Sequence, residues 1–251
     1  MTVEEIQTKL KALGYYTGKI DGDFGPKSEA AVKAFQKDHG LVIDGKVGPI
    51  TTKALQGAQS DPAAPAEPGG RMTLDLDGMV ELVSHEAIVP MPYKDSVGVW
   101  TYGVGLTKAS GLVNPASMPK GVAQPLEDVL KLFKKGLEKY EADVRAAVKV
   151  PLSQTQYNAL VSFHWNTGRI KTASITKLLN AGDVEGAGKA FANFFKPAAV
   201  KERRLKEQKL FREGVYSNDG KVSVYPASST GAVQWKKGKR ISIKDYLTNE
   251  V

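Results

Sequence analysis

The sequence predicts a mainly α-helical, α+β chain in two domains. A bundle of three short helices comes first, followed by a larger domain with a short antiparallel sheet and one long helix. Three observations carry this reading. Residues 58–70 read AQSDPAAPAEPGG, whose prolines and glycines favour an extended linker over a packed core. An internal repeat organises the residues before that stretch. After it, helical apolar spacing dominates, interrupted by one β-rich, glycine-punctuated segment.

The boundaries are set at 1–57 for the first domain, 58–71 for the linker and 72–251 for the second. In the first domain, Thr2 with Glu5 three residues on forms a capping box. Ile6, Leu10 and Leu13 make the stripe of the opening helix, and Gly14 ends it. Asp21-Gly22-Asp23-Phe24-Gly25-Pro26-Lys27-Ser28 then recurs as Asp44-Gly45-Lys46-Val47-Gly48-Pro49-Ile50-Thr51, offset by 23. Each copy places Asp-Gly for a tight turn and a proline where a helix can begin. Helices are expected over Pro26 to about His39 and Pro49 to about Gln56.

In the second domain, Met79, Val80, Leu82 and Val83 predict a helix of about 78–86 that Pro90 bars from continuing. Val97 to Gly105 reads as a small antiparallel ribbon. From about Pro125 to Lys149, Leu126, Val129, Leu130, Phe133, Leu137, Tyr140, Val144 and Val148 fall on one face of a long helix. Ser153 and Gln156 form a capping box for another helix, in which Tyr157, Leu160, Val161 and Trp165 are expected in the core. Residues 218–251 read as short strands and turns around a basic knot of Lys236, Lys237, Lys239 and Arg240.

Composition narrows the chemistry. The chain has no cysteine, so neither disulfides nor thiolate zinc sites are available. His39, His85 and His164 lack the spacing of a metal-ligand set, and no cofactor or metal is expected. The net charge of +8 is uneven: +1 over 1–57, −2 over 58–70 and +9 over 71–251. A cationic second domain suits an anionic partner without choosing one. No nucleic-acid motif accompanies the charge. No stretch has the length of a membrane span. MTVEEIQTKL lacks the pattern of a signal peptide, which suggests synthesis in the cytoplasm.

Cutting a glycosidic bond needs one carboxylic acid that stays protonated and a second carboxylate acting on the other side. Glu86, at a helix C-terminus and followed by Ala87, Ile88 and Val89, fits the first role. Asp95, at a polar turn between Lys94 and Ser96, fits the second. From spacing alone, two solvated surface groups remain the commoner reading.

The wording around them adds a resemblance. L-G-Y-Y-x-G-x-I-D-G-x-F-G-P with A-V-x-x-F-Q-x-x-x-G-L-x-x-D-G-x-V-G-P resembles the peptidoglycan-binding domain of wall hydrolases. That resemblance makes Tyr15, Tyr16, Phe24 and Val47 candidates for a wall-binding groove, with core positions as the alternative. E-x(6)-Y-x-D-x-x-G-x-W-T-x-G-x-G, carried by Glu86, Tyr93, Asp95, Gly98, Trp100, Thr101, Gly103 and Gly105, resembles the active-site segment of the phage-type lysozymes. Phe163 to Gly168, Ser174 to Asp183 and Arg203-Arg204-x-x-Glu207-x-x-Leu210-Phe211 continue it, over about 78–213. Two positions depart from the family's pattern: Ala87 stands where glycine is frequent, and Leu106 where histidine is.

The resemblance implies a modular endolysin whose second domain has two lobes joined by the long helix. It further implies Glu86 as general acid, Asp95 and Thr101 holding the attacking water, and inversion at the sugar. Tyr93, Asn166, Arg203 and Arg204 are candidates for substrate contact, with a solvated helix face as the other reading for the arginines. The implied substrate is the N-acetylmuramic acid to N-acetylglucosamine bond of peptidoglycan. The implied protein is a monomer that reaches the wall through a holin. A lytic transglycosylase would dispense with Asp95 and Thr101, and a non-catalytic wall-binding virion protein would need none of the three.

Overall fold

A computed structural model describes residues 1–38, 43–48, 51, 52, 54, 55 and 72–248. The chain divides into two compact units, Met1–Gly70 with Pro151–Gln154, and Arg71–Val150 with Thr155–Val251; the linker at 58–70 and residues 249–251 lie outside the described residues.

In the first unit, α1 spans Val3–Ala12 and α2 Pro26–Asp38. The Thr2–Glu5 capping box forms in both directions. Thr51, Thr52, Ala54 and Leu55 are helical; the rest of the expected third helix, and His39 after α2, lie outside the described residues. Ile6, Leu10, Leu13, Tyr16, Ala31, Val32, Phe35 and Leu55 make the core. Each fully buried side chain of Leu, Val or Phe type is worth about 1.5–3 kcal/mol.

The repeat has an unexpected organiser. Gln7 Nε2 donates to Asp21 Oδ1, the Asp23 carbonyl and Ser28 Oγ at 2.8, 2.9 and 3.2 Å. Gln36 Nε2 donates to Asp44 Oδ1, the Lys46 carbonyl and Thr51 Oγ1 at the same three distances. Both amides are buried, and their Oε1 atoms take the turn N–H groups of Gly22 and Gly45. Each Asp-Gly turn is therefore closed around a glutamine supplied by a helix.

In the second unit, α3 spans Leu76–Glu86, capped by the Asp75 side chain. A three-stranded antiparallel sheet follows: β1 Val89–Lys94, β2 Trp100–Gly103 and β3 Leu106–Thr107, in that order. The expected ribbon is thus longer and starts earlier, at Val89. Pro90 ends the helix but sits inside a strand; the register shifts between Val89 and Tyr93, where Pro90 and Pro92 have no N–H to give a ladder.

The long helix α4 spans Leu126–Ala147, with Val129, Leu130, Phe133, Leu137 and Val144 buried as their spacing predicts. Its first half packs beside the sheet, where Gly103 lies against Val129 and Gly136 against Leu106. Its far end meets the helical part, where Arg145 reaches the Tyr157 hydroxyl and Asn180 caps the Lys149 N–H. That part comprises α5 Gln154–Thr167, α6 Ser174–Asn180, α7 Val184–Lys189 and α8 Lys201–Glu213. Tyr157, Leu160, Val161 and Phe163 are buried, and Trp165 is partly so.

The tail folds back on the unit. β4 Lys221–Val224 pairs antiparallel with β5 Lys239–Ser242, and α9 Lys244–Thr248 lies on α4 and α3. The hairpin expected there forms, and its first strand is joined to Ile88 in a parallel bridge. No helix among the described residues is long and apolar enough to cross a membrane.

Candidate active site

Glu86 is the last residue of α3, and the chain turns sharply after it. Ala87 takes φ 62° and ψ 174°, a region nearly reserved for glycine that costs another residue about 1–3 kcal/mol. This explains in physical terms why glycine suits the position. The turn is held on both sides: Ala87 N donates to the Val83 carbonyl at 2.9 Å, Ile88 N to the Ser223 carbonyl at 2.8 Å, and Tyr225 N to the Ile88 carbonyl at 2.8 Å.

The Glu86 carboxylate is 21% exposed and pairs with Arg203. The apolar setting expected from Ala87, Ile88 and Val89 is therefore corrected: Ile88 and Val89 are buried, while the carboxylate meets a guanidinium brought by α8. Arg203 Nε also donates to Glu207 Oε1 at 2.9 Å, and Nη2 to the Ser162 carbonyl at 3.1 Å. Burial works against the Arg203 charge, but Glu86 and Glu207 outweigh it and raise its pKa. Gly105 closes in from the sheet at φ 79°; a Cβ there would stand 3.8 Å from Glu86 Oε2 and 4.0 Å from Trp165 Nε1. The second glycine of G-x-G thus sets the backbone directly over the acid.

Asp95 sits in the β1–β2 turn. Its Oδ1 accepts from Val97 N at 3.0 Å and Val99 N at 2.8 Å, and its Oδ2 takes neither bond. Thr101 faces inward on β2, opposite Tyr93, and donates from Oγ1 to the Val99 carbonyl at 3.1 Å. Tyr93 links the two carboxylates electrostatically. Burial pushes its phenol far above the usual range, and the charges of Glu86 and then Asp95 push it further. Its hydroxyl therefore stays protonated and able to donate. Tyr140 on α4 is raised by burial and then by Asp143 and Glu86, and its ring lies 4.8 Å from that of Trp165.

Other candidates separate from this group. Arg204 is fully buried, pairs with Glu207 and lies over the Phe163 ring, so it belongs to the packing and not to substrate contact. It donates to Asn166 Oδ1 at 2.6 Å, fixing an exposed Asn166 in the last turn of α5. His164 is buried beside Asp143. In the first unit, Tyr16 is buried and donates to the Lys19 carbonyl at 2.8 Å. Tyr15 packs edge-to-face on Phe35, and Val47 leans on the same core. Of these four candidates, Phe24 alone counts among the exposed apolar residues, at 42%. No group of three or more potential ligands among the described residues is placed to hold a metal ion.

Comparison with known proteins joins this geometry to a family. A model described as phage lysozyme matches residues 83–209, half of the chain and the whole stretch from Glu86 to Glu207. The chain belongs to the phage lysozyme family. A peptidoglycan binding domain model matches residues 2–55. The endolysin of Salmonella phage P22 is 34% identical over 146 residues, covering 56% of this chain and 98% of that protein. A solved structure of the endolysin from Escherichia coli O157:H7 phage FAHEc1 aligns over 59% of this chain and 99% of that one, with 26% identity and a TM-score of 0.53. The spore cortex-lytic enzyme of Bacillus cereus is 45% identical over 53 residues, 21% of this chain and 20% of that protein. Within the phage lysozyme fold, the Glu86–Arg203 pair is the contact that sequence reasoning missed. Its signal was Arg203 and Glu207 at i, i+4, which aims the guanidinium off one face of α8.

Proposed function

We propose that this phage lysozyme hydrolyses the N-acetylmuramic acid to N-acetylglucosamine bond of peptidoglycan with inversion, Glu86 acting as general acid and Asp95 with Thr101 holding the attacking water. What supports the reading is a pair of differently held carboxylates whose charges both act on the Tyr93 phenol. Glu86 ends a helix against Arg203 and Gly105, while Asp95 is tied to a hairpin turn through Oδ1 alone. Oδ2 of Asp95 is left to orient water, and Tyr93, protonated, can donate to a sugar oxygen. A glycan entering here would displace solvent from Glu86 and bring its leaving oxygen to the acid.

In this reading residues 1–57 hold the wall, residues 72–251 cut it, and 58–71 tether the two, which raises the local concentration of the second site. The protein acts as a monomer, without nucleic acid, and reaches the wall by a holin-dependent route to lyse its host. The test combines products and variants. Wild-type digestion should give free reducing ends formed with inversion. Glu86→Gln should lose about 10²–10⁴-fold in turnover while still binding sacculi, and Asp95→Asn should be similarly crippled. Anhydro ends with a mild Asp95→Asn phenotype would establish a transglycosylase instead.

A further inference from the structure

Residues 214–248 follow the stretch matched by the phage lysozyme model and are built into the side of the unit that carries Asp95. Ala227 N donates to Met91 Sδ at 3.1 Å, and Lys94 N, next to Asp95, donates to the Gly231 carbonyl at 2.8 Å. Gly231 closes on the edge of the Trp100 ring, where a Cβ would come within 2.7 Å. Val89, Met91 and Ala227 form a small core shared by strand and tail. Tyr93 packs against it from the active site, and Tyr225 and Val233 pack against it from the tail.

Trp235 joins this core through Tyr225. Its ring meets Tyr225 edge-to-face at 4.9 Å, yet the residue is 65% exposed. A solvent-exposed indole offers an apolar stacking face. Four exposed cations follow it within five residues of the chain. Arg240 is engaged by Asp219 at 2.6 Å, while Lys236, Lys237 and Lys239 have no ion pair among the described residues. Two more lysines, Lys94 and Lys120, lie over Trp100 at 5.3 and 4.5 Å from its centre.

We propose that the C-terminal extension is an additional glycan subsite, in which Trp235 stacks on a sugar ring of the peptidoglycan strand and Lys236, Lys237 and Lys239 meet its carboxylates. The proposal rests on the reading that Glu86 cuts that strand. A polymer held at Asp95 must continue over neighbouring surface, and the surface tied to that hairpin offers an apolar ring face with positive charge around it. Sugar rings present C–H faces that suit an indole, and the muramic acid substituents carry the anionic groups that suit the lysines.

The experiment uses the full chain and two substrates: long uncrosslinked peptidoglycan strands, and the shortest muramyl oligosaccharide the wild type cuts. Trp235→Ala should lower kcat/KM on long strands by about three- to tenfold, the size of one aromatic contact, and leave the short substrate unchanged. Trp235→Phe should recover part of the loss. Replacing Lys236, Lys237 and Lys239 with glutamine should flatten the salt dependence on long strands only. An unchanged ratio between the two substrates, or an equal loss on both with a lowered Tm, overturns the subsite. A wild type that cuts neither substrate overturns the muramidase reading first, and the subsite with it.

Discussion

Glu81 offers a quantitative test of how the tail supports the catalytic helix. It lies five residues before Glu86 on α3 and is 1% exposed. Its carboxylate accepts from Ser217 N at 3.0 Å, Ser217 Oγ at 2.6 Å, Asn218 N at 3.1 Å and Asn218 Nδ2 at 2.5 Å, with His85 Nε2 3.3 Å away. Burial alone would raise its pKa; His85, Ser217 and Asn218 outweigh burial and lower it from 4.5 to about 2. At 1.36 kcal/mol per pKa unit, that difference is worth about 3 kcal/mol. The folded pKa is depressed, so this stability is fully present above pH 4.5 and is lost as pH falls towards 2. Glu81→Gln removes the charge and turns an amide N–H₂ towards donors. At pH 7 it should destabilise the second unit by about 3 kcal/mol, which for a unit of this size is a Tm drop of about 6–12 °C. Trp100, Trp165 and Trp235 all lie in that unit, so tryptophan fluorescence follows its unfolding without contribution from the first. The gap between wild type and variant should narrow as pH falls from 4.5 towards 2. Equal stability at pH 7, or a gap that does not change with pH, would refute the reasoning.

Three further outcomes are expected. Ala87→Gly should relieve the positive-φ strain after Glu86 and raise the Tm of the second unit, with a gain of about 1 kcal/mol at the low end of such strain; thermal unfolding checks it. Gln7→Ala or Gln36→Ala leaves a buried turn without its partner, at about 1–3 kcal/mol for each unsatisfied group, and should cost the first unit its fold and wall retention in a sacculus pull-down while short-substrate turnover persists. The +9 charge over 71–251 should make activity on whole sacculi fall with salt more steeply than activity on neutral chito-oligosaccharides; parallel responses would remove the electrostatic explanation.

Periodic and punctuated features were the legible ones. The α1 capping box, the apolar face of α4 and the stop at Glu86 were read from spacing because each is decided locally. The strand at Val89–Lys94 was not, because Pro90 and Pro92 argue against a strand unless a bulge absorbs them. Asp95 in a turn and Thr101 on a strand emerged as expected, but the surroundings of Glu86 did not. Its neighbours in sequence are apolar, and its neighbour in space comes from α8, 117 residues later. Gln7 and Gln36 escaped notice for a similar reason. A glutamine on an amphipathic helix reads as solvated until the turns it closes are folded around it. Tyr16 and Arg204 show the reverse case, with polar atoms that suggest ligand contact and geometry that places them in the interior.

The clamp on Glu81 also has a consequence for synthesis. Its partners Ser217 and Asn218 are 136 and 137 residues further along the chain, and the strand that fixes Ile88 begins at Lys221. A growing polypeptide that has reached only α8 holds both Glu86 and Arg203, yet Glu81 still lacks the donors that hold its charge and the turn at Ala87 lacks its brace. Contacts of such long range form late. The unit is therefore completed only once residues 217–224, beyond the stretch matched by the family model, have joined it.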